Sequence, residues 1–125
     1  MSGEQGYFVS ETVIATADLD SFQYKAITYN GALASENDTT IGILQNKPKN
    51  GEAARVAYLG RVAAIAGAAI TAGAPVRVTT SGYLIAVGSG YSACGKCLET
   101  SNVSSGDQFS ALVNFANAIT THDGQ

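Results

Sequence analysis

The sequence predicts an all-β chain that folds as one compact β-barrel or β-sandwich of short antiparallel strands, and three observations carry that expectation. Runs rich in Val, Ile, Thr, Tyr and Phe recur at intervals of about 8 to 12 residues. Asn, Asp, Ser and Gly separate these runs, and such residues favour turns through local backbone hydrogen bonds or tolerance of positive φ. Within the runs, apolar and polar residues alternate with period two, whereas an amphipathic helix would space its apolar positions by three or four. With 125 residues, 46% hydrophobic and 14% charged, the chain can bury one core and is short for two domains. The expected organisation is a polar N-terminal arm over residues 1–10, a single β domain over 11–115 and a C-terminal tail over 116–125.

The elements follow in order. The opening MSGEQGYFVS is polar and glycine-bearing, as an arm would be. In SFQYKAITYNGALAS, Phe22, Tyr24 and Ala26 alternate with Gln23, Lys25 and Ile27. The strand then turns back at Asn30-Gly31, whose tolerance of positive φ at both positions suits a tight hairpin. A further strand is expected from Ile41 to Gln45, then a polar loop holding Pro48 and Asn50-Gly51. Beyond it Ala54, Val56 and Tyr58 alternate with Arg55 and Ala57, so that Arg55 faces solvent or a partner.

The stretch GRVAAIAGAAITAGAPVRVTTSGYLIAV is ambiguous. Its alanines favour a helix. Gly67, Gly73, the following Pro75 and the absence of any polar face oppose one. The balance favours a strand to about Ala66, a turn at Gly67 and an irregular segment through Ile70 to Gly73, with at most one short helical turn near residues 68–73. Pro75 then opens a strand at an entrance where its missing N–H costs no ladder bond. Ser81-Gly82 turns that strand and Tyr83 to Val87 returns. After a glycine-rich link, GKCLETSNVSSGDQFSALVNF supplies two more strands joined by the Ser105-Gly106-Asp107 turn. Phe109, Ala111, Val113 and Phe115 share one face of the last.

Composition weighs against several classes of function. The net charge is −3 and the seven Lys and Arg are scattered, without the clustered basic footprint that phosphate neutralisation requires, so no nucleic-acid partner is expected. No stretch reaches the roughly 18 apolar residues of a membrane-spanning helix, and the start lacks the basic and apolar regions of a secretion signal. No membrane partner is therefore expected.

No constellation of residues commits the chain to chemistry. Cys94-Gly95-Lys96-Cys97 has the spacing of a redox pair or half a zinc site, yet it lacks the βαβ setting of the first and two further ligands for the second. In an extended segment the two thiols would face opposite ways about 10 Å apart, beyond disulfide reach. The only histidine, His122, lies in the polar tail. Asp18 and Asp20 could act as a carboxylate pair or as calcium ligands, but a solvated turn explains them more simply. No catalytic residue, metal or cofactor is expected. Six of the ten aromatic residues are tyrosines, which suit either strands or protein interfaces.

The residues Ile41-Gly42, Gln45-Asn46, Pro48, Gly51-Glu52-Ala53-Ala54, Gly60, Ala66-Gly67, Ile70, Ala72-Gly73, Val76, Gly82, Gly95, Leu98, Gly106-Asp107 and Val113 form a composite pattern. It resembles the small capsid decoration, or cement, proteins of tailed bacteriophages. The resemblance covers about residues 40 to 115; Cys97 departs from it, and residues 1–39 match only in style. It implies a β-barrel or β-sandwich that adheres to the outer surface of a phage capsid after synthesis in the host cytoplasm. The implied partners are the major capsid protein and further copies of the chain, as a homotrimer or, alternatively, a dimer. Under this resemblance Glu4, Gln5, Tyr7 and Phe8 are the capsid-contact candidates. Tyr24, Tyr58, Arg55, Arg61 and Tyr83 are the subunit-interface candidates. The alternatives are a receptor- or carbohydrate-binding β module and a small thiol redox protein using Cys94 and Cys97.

Overall fold

The computed structural model describes residues 8–35, 38–88 and 92–116. Eight strands are formed: β1 (Phe8–Ile14), β2 (Ala26–Thr28), β3 (Thr40–Leu44), β4 (Ala53–Ile65), β5 (Pro75–Val78), β6 (Leu84–Ala86), β7 (Gly95–Cys97) and β8 (Gln108–Asn114). All pairings between them are antiparallel. The protein is all-β, and the helical element among the described residues is a single 3₁₀ turn at Thr80–Gly82. Phe8, Val9 and Ser10, at the end of the segment read as an arm, are paired in β1.

The organising element is β4, thirteen residues long. Leu59 and Gly60 pair with both β1 and β8, while Val56 and Ala57 pair with both β1 and β3. A strand has two edges, so β1 occupies one edge and β3 and β8 succeed each other along the other. Tyr58 lies where they change over. β1 skips it, stepping from Leu59 to Ala57 between Val9 and Ser10, and its carbonyl accepts a hydrogen bond from the Phe115 amide at 2.7 Å. Gly60 follows at φ 116, in the region where glycine avoids the Cβ clash. Such a bulge interrupts the ladder, yet the exposed positions of β4, Ala53, Arg55, Leu59 and Arg61, keep one alternation across it.

From β4 the sheet continues through β8, β7, β5 and β6. It closes on itself where Ala66 bridges Leu84 and the Gly67 amide donates to the Leu84 carbonyl at 2.9 Å. This nearly closed barrel encloses Val62, Ala64, Ile70, Val76, Leu84, Cys97, Phe109, Ala111 and Val113. A second core gathers Ala15, Leu19, Ile27, Leu44, Ala54 and Val56, with Val13, Phe22, Leu33 and Ile41 packed around it. Burying a large aliphatic or aromatic side chain is worth about 1.5–3 kcal/mol.

β2 and β3 stand between the two cores. Ala26 and Ile43 join the barrel core, and their chain neighbours Ile27 and Leu44 join the second. For that reason β2 is buried at all three positions. The residues before it, expected as an alternating strand from Phe22, instead make turns, with Tyr24 at φ 72.

The Asn30-Gly31 reversal forms, but as a three-residue loop. The Thr28 amide donates to the Ala32 carbonyl at 2.8 Å, and Gly31 alone takes positive φ, 84°, as in a type I turn closed by a left-handed residue. The alanine-rich stretch forms no helix. Ile70 exchanges two hydrogen bonds of 2.9 Å with Val103, and the Ala72 amide donates to Asn102 Oδ1 at 3.0 Å. Gly67 is needed for close approach, because a Cβ there would lie 2.7 Å from Tyr83 Cβ.

Candidate interaction surface

Of the capsid-contact candidates, Glu4, Gln5 and Tyr7 lie outside the described residues, as do Tyr91, His122 and most of the segment read as a C-terminal tail. Phe8 is part of the domain. Its ring packs against the barrel core, and the Arg55 guanidinium lies 5.5 Å from the ring centroid. Arg55 is exposed on β4 and its Nε–H reaches Ser10 Oγ at 3.4 Å. The two are thus tied together across the β1–β4 pair.

The remaining interface candidates fall in separate places. Tyr58 sits half-buried in the β4 bulge and Arg61 is exposed beyond it. Tyr83 packs beside Gly67, with Lys25 Nζ 4.2 Å from its ring centroid and 5.2 Å from that of Phe22. This cation–π pairing uses the ring face internally. Tyr24, next to Lys25, holds a left-handed conformation costly for a bulky side chain. Its amide donates to the Leu44 carbonyl at 2.8 Å, which holds the strained residue at the entry to β2.

The carboxylates Asp18 and Asp20 serve the turn before β4. Asp18 Oδ1 accepts from the Asn50 amide at 2.9 Å, and Asp20 Oδ2 pairs with Lys49 Nζ at 3.2 Å. The hydrogen bond and charge of Lys49 hold the Asp20 carboxyl below its ordinary range. Reciprocally, Asp20 raises the Lys49 ammonium. Glu52 closes the same turn by accepting from the Lys49 amide at 2.8 Å. Among the described residues, no group of three or more His, Cys, Asp or Glu side chains converges as a metal site requires.

Both cysteines are free. The chain bends at Cys94 before entering β7, so the segment is not extended throughout; Cys97 belongs to the barrel core and the half-buried Cys94 packs against it. Burial pushes the Cys94 thiol up to about 12, which suppresses the thiolate needed for exchange or metal binding.

Five large hydrophobic side chains are exposed: Val9 (45%), Ile14 (58%), Tyr29 (65%), Leu59 (38%) and Leu112 (43%). Sequence reasoning did not select them. The signal that could have found Leu59 is the alternation of β4 itself: Ala53, Arg55, Leu59 and Arg61 are its exposed positions, and counting on by twos from Arg55 reaches Leu59. Ile14 and Tyr29 belong to neighbouring segments, since Gly31 lies under the Ile14 carbonyl, 2.1 Å from where its Cβ would stand.

Neither a protein-family model nor a curated protein matches the chain. Among solved structures, the N-terminal base of the head fiber protein gp8.5 of bacteriophage phi29 superposes with a TM-score of 0.66. The superposition covers 86% of this chain and 95% of that one at 18% identity. At that identity the likeness is one of fold.

Proposed function

We propose that this protein is a non-enzymatic structural component of a tailed-phage head, binding the outer surface of the capsid as a symmetric homo-oligomer. The observation that supports this most is the superposition with the phi29 head fiber base over 95% of that chain. The composite resemblance of residues 40 to 115 to capsid decoration proteins points the same way. On this reading the activity is adhesion. A protein that bridges neighbouring capsid subunits binds the assembled lattice and not the separated subunits, so its binding free energy stabilises the lattice by linkage. It needs a rigid scaffold and contact faces. The partners are the major capsid protein and further copies of the chain; no nucleic acid, membrane, metal or cofactor is involved. Synthesis takes place in the host cytoplasm.

The test is to mix the purified protein with heads lacking it and to measure co-sedimentation and heat resistance. A cement protein co-sediments and raises the temperature at which heads release DNA. Co-sedimentation with unchanged heat resistance would assign the role of a fiber base. Absence of co-sedimentation at micromolar protein would remove the head-binding reading altogether.

A further inference from the structure

We propose that the sheet face carrying Val9, Leu59 and Leu112 docks against the same face of a second copy across a two-fold axis, so that the protein assembles as a dimer. This gives a structure to the self-association proposed above and rests on that reading for its setting on a phage head.

Three of the five exposed large hydrophobics lie on this face. The strand register makes them neighbours: Val9 pairs with Leu59, and Leu112 pairs with Arg61, two positions further along β4. All three belong to paired strands, so the patch is held in place before any partner arrives.

The charges around it are ordered. Glu11 lies two residues from Val9 on the same face of β1. Arg61 lies two residues from Leu59 in the opposite direction, because β1 and β4 are antiparallel. Along the β1–β4 ribbon the order is therefore carboxylate, apolar pair, guanidinium, with the two charges roughly 14 Å apart at about 3.4 Å per residue. Lys96, paired with Leu112, adds a second cation at the Arg61 end. All three charged residues are exposed, and the salt bridge formed among the described residues is elsewhere, between Lys49 and Asp20.

A half-turn about an axis that lies in the plane of the contact, perpendicular to the ribbon and level with the Val9–Leu59 pair, turns a second copy over onto the first with the ribbons antiparallel and lays the apolar pairs of the two facing copies on each other. It sets each Glu11 opposite the other copy's Arg61. Such a line is its own complement, which is what an isologous contact requires; a three-fold assembly would instead need two different complementary faces. The occupant is thus a second copy.

Sedimentation velocity of the full chain, from micromolar to about 100 μM, reads the assembly state directly. A concentration-dependent dimer is expected. Glu11→Arg and Arg61→Glu should each raise its dissociation constant about tenfold or more, and the double variant should bring it back to within about threefold of the original. Both sites are exposed, and circular dichroism checks that each variant is folded. A protein monomeric throughout the range, a trimer, or a double variant no tighter than the singles would overturn the proposal. Co-sedimentation with heads is scored separately. Head binding without the dimer leaves the proposed function standing alone, and a dimer that obeys the charge exchange but ignores heads leaves the two-fold contact standing alone.

Discussion

Gly31, Gly95 and Gly51 show how differently a glycine can be required. A Cβ on Gly31 would lie 2.1 Å from the Ile14 carbonyl oxygen, and its φ is +84°. On Gly95 a Cβ would lie 2.1 Å from the Leu112 carbonyl oxygen. At Gly51, with φ +89°, it would meet nothing within 4 Å. Gly51→Ala should therefore cost about 1 kcal/mol, the left-handed penalty alone, whereas Gly31→Ala should cost about 2–4 kcal/mol because backbone must also move. Urea unfolding of the two variants measures the difference, and equal costs would refute the close approach at Gly31. The sequence marked Gly31 as a turn residue through Asn30-Gly31. It could not show that the Ile14 backbone lies against it, because that contact joins segments far apart in the chain. The cysteines give a second expectation at this scale. With Cys97 buried and the Cys94 thiol pushed up to about 12, iodoacetamide at pH 8 should leave both unmodified in the native protein and label both in denaturant.

Among the elements, those that touch a single core were the most legible. β8 alternates cleanly, with Phe109, Ala111 and Val113 all turned inward, and β5 begins at Pro75 as its ring requires. β2 misled because both its faces are buried, so the period-two signal carries no information there. β4 is continuous where two strands could be read, and its exposed positions keep one alternation across the bulge. The turn before β4 offers a pH prediction. Asp20 is lowered in the folded protein, so its stabilisation is complete well above its ordinary value of 3.8 and is lost as pH falls through the folded value. Lys49 is raised, so its share is present below 10.5 and is lost as pH rises through the folded value. Asp20→Asn should flatten the acid limb of the stability profile without altering the fold, as thermal melts at pH 3 and pH 6 would show. Of the surface, Arg61 was legible as an isolated cation on a strand. Its neighbours Val9 and Leu112 were not, because register decides them.

At the scale of the whole molecule, the two cores share β2, β3 and β4 and are expected to unfold together. Leu44→Ala opens a cavity in the second core and Leu84→Ala one in the barrel; each should cost about 2–5 kcal/mol. Both should shift one sigmoidal transition, seen identically by tyrosine fluorescence and far-ultraviolet circular dichroism. Two separated transitions in either variant would show that the cores are independent. β4 has a mechanical consequence too. It is held by β1 along one edge and by β3 and then β8 along the other, so a pull along its axis loads those ladders in shear. Many hydrogen bonds then resist together, whereas a pull across the sheet would peel them one after another. The protein should accordingly be stiffest along the direction of its longest strand.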